Sequence, residues 1–269
     1  MIAVALLASL MWGTADFLAG RASRKHPAAM VALVGQAIGL LALALILLVR
    51  GADGDAVVPG LFVGLFGAVA VLSFYNALAV GTMSIVAPIV ATSAIVPVLA
   101  GVIDGERPGV LQWVGIAAAI GGVVLASTES GGNAIDSRKA LKLALLAALT
   151  IGLSLVFLDR AAEHDALTGV AVARAVAVPI LVAFALHAHA RVEWRAVPNL
   201  AVIGLLDTGA NTAFAIATTG GLLSLVAVLG GLFPVVTVAL AYFLLHERLQ
   251  PVQRAGVLLA LAGIPLIST

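Results

Sequence analysis

The chain contains no cysteine, and that absence removes disulfides, thiol catalysis and thiolate metal sites together. Charge is scarce as well. Only 10% of the residues are Asp, Glu, Lys or Arg, where a soluble domain carries about a quarter. With a net charge of +1 there is no clustered basic face, so no nucleic-acid partner is expected. A phosphate-binding Gly-x4-Gly-Lys-Ser/Thr loop is missing, which excludes direct ATP drive within this chain. His187 and His189 have no partners at ligand spacing, so neither a metal nor any other cofactor is expected. What remains is apolar: 62% of the residues are hydrophobic and the mean hydropathy is +1.19. One water-facing core cannot absorb that surplus, and the chain is expected in a lipid bilayer.

The sequence repeats itself. Glu106–Thr128 aligns without a gap on Glu247–Thr269, shifted by 141 positions, and nine of 23 residues coincide. Glu106-Arg107 matches Glu247-Arg248, and Gly115 and Gly122 match Gly256 and Gly263. Internal repeats of this kind govern the architecture. The duplication continues upstream more faintly, setting Gln36 against Arg174 at a shift of 138 and Gly13 against Gly152 at 139.

Crossing the hydrocarbon takes about 20 apolar residues as helix. Ten such runs are expected, at 2–20, 28–49, 58–79, 82–103, 109–127, 139–158, 166–188, 199–219, 221–243 and 250–268. The first starts at Ile2 with no basic region before it and no convincing cleavage site, as a membrane helix does and a signal peptide does not. Residues 1–128 form a first five-helix repeat, 129–138 a linker and 139–269 a second repeat. Five is odd, so the second copy enters the membrane in the opposite sense. The expected fold is an all-α integral membrane protein of ten transmembrane helices in two inverted five-helix repeats, a plan shared by many alternating-access transporters.

Proline and charge refine this plan. Pro27, Pro59, Pro108, Pro198 and Pro251 fall where helices start. Pro88, Pro97, Pro179 and Pro234 lie inside spans and kink them. Pro88 and Pro97 together make the fourth span the best candidate for a bent, cavity-lining element. Loops on one side carry ten basic residues against three on the other. That bias places the basic side in the cytoplasm and both termini outside.

Three charges stand well inside apolar spans: Asp16, Arg174 and Asp207. Each costs roughly 2.5–3.5 kcal/mol near the bilayer centre, so each requires a reason. Arg174 follows Asp165 by nine residues and Asp207 follows Pro198 by nine, which puts both about 13–14 Å deep at the helical rise. They are the natural pair. Asp16 is shallower, five residues from Arg21, and also has Arg21 or Arg24 as candidate partners. Asp207, Asn211, Phe214 and Thr218 share one helical stripe. Gln36 is polar at the depth of Arg174, Tyr75 and Asn76 add hydroxyl and amide groups near the end of the third span, and Trp12 supplies an indole four residues before Asp16. Two readings stand side by side: a structural ion pair, or a central site where Arg174 holds a carboxylate while Asp207 or Asp16 holds an ammonium or a proton. The substrate-binding candidates are Trp12, Gln36, Tyr75, Asn76, Arg174, Asp207, Asn211 and Phe214; the proton-coupling candidates are Asp16 and Asp207. No catalytic residue is assigned. Glu106 and Glu247 read as boundary residues at the positive ends of the helices that follow them. Asp207-Thr208-Gly209 matches the aspartic-protease tripeptide, but an intramembrane protease would need two carboxylates sharing a proton at about 3 Å.

Trp12-Gly13 in the first helix, with Glu106-Arg107…Gly115…Gly122 and Glu247-Arg248…Gly256…Gly263, resembles the EamA family of the drug/metabolite transporter superfamily. The likeness covers essentially the whole chain, with Ile151 standing where a second Trp would. It implies a non-enzymatic secondary carrier in the inner membrane, exporting amino acids or other small amphiphilic metabolites. The substrate would pass through a cavity between the repeats. A multidrug, cation or sugar carrier of the same fold is the alternative. One Arg facing two Asp suits a zwitterion or weak cation. The sequence sets no oligomeric state.

Overall fold

A computed structural model describes residues 1–23, 25–80, 89–126, 137–187, 194–245 and 250–267. Among these residues the chain is helical and contains no strand. The helices are α1 (Ile2–Ser23), α2 (Ala28–Arg50), α3 (Val57–Val80), α4 (Ile95–Ile103), α5 (Val110–Ala126), α6 (Ser137–His187), α7 (Val197–Thr218), α8 (Leu223–Gly230), α9 (Phe233–Leu245) and α10 (Pro251–Ile267). Among the described residues six stretches are long and apolar enough to cross a membrane: α1, α2, α3, α6, α7 with its leading turn, and α8 with α9. Three shorter apolar helices accompany them, Ile89–Ile103, Val110–Ala126 and Pro251–Ile267. Residues 129–136 of the expected linker, Pro88, Glu247 and Arg248 lie outside the described residues, and Ser137 and Arg138 already belong to α6.

The 51 residues of α6 would reach about 76 Å as one straight rod, against a hydrocarbon core of about 30 Å. The chain breaks that rod at Asp165, which adopts the extended conformation φ −155, ψ 111. Asp165 then caps the second half, accepting the Thr168 N–H at 2.8 Å. That is how an N-cap carboxylate satisfies a donor the helix leaves unpaired. Two helices, read in the sequence as 139–158 and 166–188, therefore meet at this residue.

Proline acts in the same local way. Pro97 lies four residues after Ser93, and the chain tightens there into a 3-10 turn, Thr92–Ala94, before α4. Pro234 lies four residues after Gly230, where α8 stops, and the chain restarts as α9 at Phe233. A proline ring clashes with the carbonyl four residues back, which accounts for both positions. Pro234 therefore sits in the first turn of α9 yet midway along the Leu223–Leu244 stretch, where the expected kink takes the form of a break between two helices. Thr92 and Leu232 are equivalent at a shift of 140, so the two copies are interrupted at the same level.

Packing repeats the duplication with the halves exchanged. A Cβ on Gly13 would lie 2.6 Å from the Phe233 carbonyl oxygen; one on Gly152 would lie 2.7 Å from that of Ser93, its partner's equivalent. Gly35 on α2 abuts Gly204 on α7, and Gly64 on α3 abuts Ala173 and Val176 on α6. The four glycines of the repeated motif meet one another. Gly115 touches Gly263 and Ile267, while Gly122 touches Gly256 and Ala260. As α5 ascends, α10 descends, so these equivalent helices cross antiparallel. The first copy thus packs mainly on the second: α1 against α7, α8 and α9, α3 against α6, and α5 against α10.

These contacts leave no room for a side chain. A Cβ on Gly122 would stand 2.7 Å from both the Ala260 Cα and the Gly256 carbonyl oxygen, backbone atoms that cannot swing away. Gly121 has nothing within 4 Å of its Cβ position. Gly122→Ala is expected to cost about 1–3 kcal/mol through overpacking. Gly121→Ala is expected to be neutral or mildly stabilising, since alanine is the better helix former. Thermal unfolding of the two variants in detergent measures the difference.

Candidate functional site

Arg174 lies two and a half turns into the second half of α6 and is 7% exposed. A guanidinium at that depth must be accompanied. One terminal nitrogen, Nη1, donates to the Gln36 side-chain oxygen on α2. The other, Nη2, stands 2.7 Å from Asp207 Oδ2 on α7, in an ion pair. Asp207 and Arg174 belong to the second copy and Gln36 to the first, so the group joins both. Asn211 steadies Asp207 from one turn away, its amide donating to the Asp207 carbonyl at 2.7 Å and to Oδ1 at 3.4 Å.

Gly39 and Thr208 complete the surroundings. Thr208 is 5% exposed, and its hydroxyl fills the space a side chain at position 39 would need. A Cβ there would also come within 3.6 Å of Arg174 Nε. In the sequence Gly39 reads as a packing glycine and Thr208 as a neighbour of Asp207, and neither carries a one-dimensional signal of its approach to Arg174.

Asp16 and Trp12 line the same region from α1. Asp16 is exposed, and its charge is within electrostatic reach of Asp207. The expected partnership with Arg21 does not form: the Arg21 guanidinium lies 5.9 Å from the centre of the Phe17 ring, on another side of the helix. Arg24 lies outside the described residues. Trp12 is half-buried, with its ring centre 5.6 Å from that of Phe214 and 6.3 Å from that of Phe233. The α1–α9 crossing is reinforced by Thr237, whose hydroxyl donates to the Gly13 carbonyl at 3.1 Å.

Some expected members are placed elsewhere. Phe214 is fully buried, so it supports Trp12 from behind and presents no surface of its own. Asn76 is exposed and donates its amide to the Leu72 carbonyl of its own helix at 2.8 Å, as a lone amide on an apolar helix does. The Tyr75 side chain lies outside the described residues. Among the described residues no group of three metal-ligating side chains forms.

The charged residues missed as a set lie at the opposite end, where α1 begins. Here the two copies are stitched together. Arg50 pairs with Asp165, and Arg160 with Asp104. The Asp53 N–H donates to the Thr168 hydroxyl at 3.1 Å. Glu106 receives the backbone N–H groups of Leu223 and, at 2.9 Å, Ser224. Those donors open α8, so the carboxylate meets the positive end of a helix from the other copy. The sequence reading assigned Glu106 to its own following helix; the structure corrects the partner. Gly101 makes room for the carboxyl group, since a Cβ there would be 2.6 Å from Glu106 Cδ.

A polytopic protein, helical among its described residues and built from two interleaved copies around a buried arginine paired with a half-buried aspartate, belongs to the class of duplicated membrane proteins. The family model of the EamA-like transporter family matches residues 1–128 and 138–269, and the chain belongs to that family. It is therefore a multi-pass membrane protein of a transporter family in the drug/metabolite transporter superfamily. No curated protein matches it. One solved structure, described only as a crystal structure of a protein, is 19% identical with a TM-score of 0.78. The match covers 98% of this chain and 94% of that one, a likeness that concerns the fold alone.

Removing one member of the Arg174 group exposes its energetics. Asp207→Asn leaves a buried guanidinium without its counter-charge and is expected to destabilise the protein by about 3 kcal/mol. Adding Arg174→Gln to Asp207→Asn should recover most of that loss. A double-mutant cycle read by thermal unfolding checks the coupling; additive losses would show the two charges to be energetically independent.

Proposed function

We propose that the protein is a secondary transporter, exporting small amphiphilic metabolites such as amino acids by alternating access around the Asp16–Arg174–Asp207 site. In this reading the chain crosses the inner membrane ten times, as inverted five-helix repeats at 1–128 and 139–269 joined by 129–138. Both termini face outward, as the basic loops suggest. Substrate contacts come from Trp12, Gln36, Arg174, Asp207 and Asn211, and a proton exchanged at Asp16 or Asp207 supplies the coupling.

The observation that carries the reading is the Arg174 group itself. It stands at mid-depth, draws on both copies through Gln36 and Asp207, and lies beside an exposed carboxylate that no packing role requires. A purely structural pair explains Arg174 and Asp207, but leaves Asp16 without a reason to sit in an apolar helix. A protease mechanism is disfavoured because Asp207 is committed to Arg174 and does not share a proton with a second carboxylate. The asymmetry of the two ends supports alternation. One end is held by Glu106, Asp104 and Asp165, while Asp16 lies exposed toward the other end of α1. The stitched end is then the closed outer gate.

Two experiments test these points. In proteoliposome counterflow with labelled amino acids, amines and sugars, Arg174→Gln is expected to abolish flux while leaving folded protein in the membrane. Unchanged flux would assign Arg174 to structure alone. For the gate, the cysteine-free chain provides a clean background. Val226→Cys, 3% exposed beneath the Glu106 contact, is expected to react slowly with an impermeant thiol reagent from outside. Glu106→Ala should accelerate that reaction at least tenfold, and equal rates would remove Glu106 from the gate.

A further inference from the structure

We propose that the central site takes a protonated amine attached to an apolar body, with Asp16 receiving the ammonium and Trp12 the apolar part. The inference rests on the carrier site above but departs from its amino-acid example: among small amphiphilic metabolites it favours organic ammonium compounds over those that carry a carboxylate.

Charge accounting leads to it. Asp16, Arg174 and Asp207 sum to −1 within the apolar helices. The one cation is already spent. Arg174 is buried, with one terminal nitrogen on Gln36 and the other against Asp207. A substrate carboxylate would have to displace Asp207 to reach it, and would approach against the charge of Asp16. Asp16 is exposed and forms no ion pair among the described residues. The negative charge of Asp207 acts on it unfavourably. A guest carrying one positive charge neutralises the site, while a zwitterion leaves the excess in place.

The aromatic neighbour fits the same guest. Trp12 precedes Asp16 by four residues, so both lie on one face of α1, about 6 Å apart along its axis. Phe214 and Phe233 hold the indole from behind, leaving part of it open. Indole faces attract ammonium groups and cover apolar ones alike. One helical turn is the span between a ring and an amine separated by a two-carbon chain.

The test uses Trp12 as its own reporter. The other two tryptophans, Trp113 and Trp194, are 42% and 82% exposed on the outside of the bundle. In the W113F/W194F protein, emission comes from Trp12 alone. Titration with 2-phenylethylammonium is expected to change it saturably at concentrations at least tenfold below those needed with phenylalanine. Phenylacetate, with the same ring, is expected to have no effect. Asp16→Asn should weaken the amine at least tenfold, and Asp16→Glu should largely restore it. Equal or tighter binding of phenylalanine or phenylacetate overturns the proposal, as does the absence of any saturable change. Should Asp16→Asn fail to fold, the ranking of the three ligands on the Asp16 protein decides. Amine binding without counterflow would remove the carrier reading and leave this one standing; counterflow confined to carboxylates would do the reverse.

Discussion

A guanidinium placed at mid-depth in a bilayer must bring its partners with it, and the centre of this protein is arranged to meet that demand. Asp165 sets the start of the helix, and nine residues later the chain arrives at Arg174. Asp207 supplies the opposing charge, Gln36 supplies an acceptor from the other copy, and the small residue Gly39 leaves room for Thr208 beside them. Removing Asp207 or Gln36 takes a partner from a buried guanidinium, which is costly in an apolar surrounding.

The same demand explains why the copies interleave. Helices in lipid gain little from hiding apolar surface from one another, so they associate through close packing and polar contacts. Glycines provide the close packing here: Gly13 and Gly152, Gly35 and Gly64, and the quartet Gly115, Gly122, Gly256 and Gly263 all make contacts whose equivalents recur in the other copy. A contact that repeats with the halves exchanged is the mark of a two-fold relation. Because α5 and α10 cross antiparallel, the relation inverts one copy against the other.

Symmetry in the scaffold contrasts with asymmetry in the chemistry. Arg174 has the neutral Gln36 as its counterpart, and Asp207 has Gly67. At the level of the helix breaks the copies agree, whereas at the level of charge they have diverged. The scaffold thus keeps the two-fold relation, while the charges at its centre belong to the second copy alone.

Much of this was legible in one dimension. Hydropathy marked the membrane helices, and a fixed offset revealed the duplication. Counting residues inward from Asp165 and Pro198 placed Arg174 and Asp207 at one depth, where they are found 2.7 Å apart. Proline positions foretold interruptions, although only the folded chain showed that Pro234 begins a helix. Other features depended on which way each helix is turned and what it meets. Phe214 proved fully buried, Asn76 satisfied itself on its own helix, Arg21 turned to Phe17, and Glu106 reached a helix 117 residues away. Depth along a helix is a property of the sequence, because rise per residue is constant. Rotation about the axis and the identity of a distant neighbour are decided only when all the helices pack together.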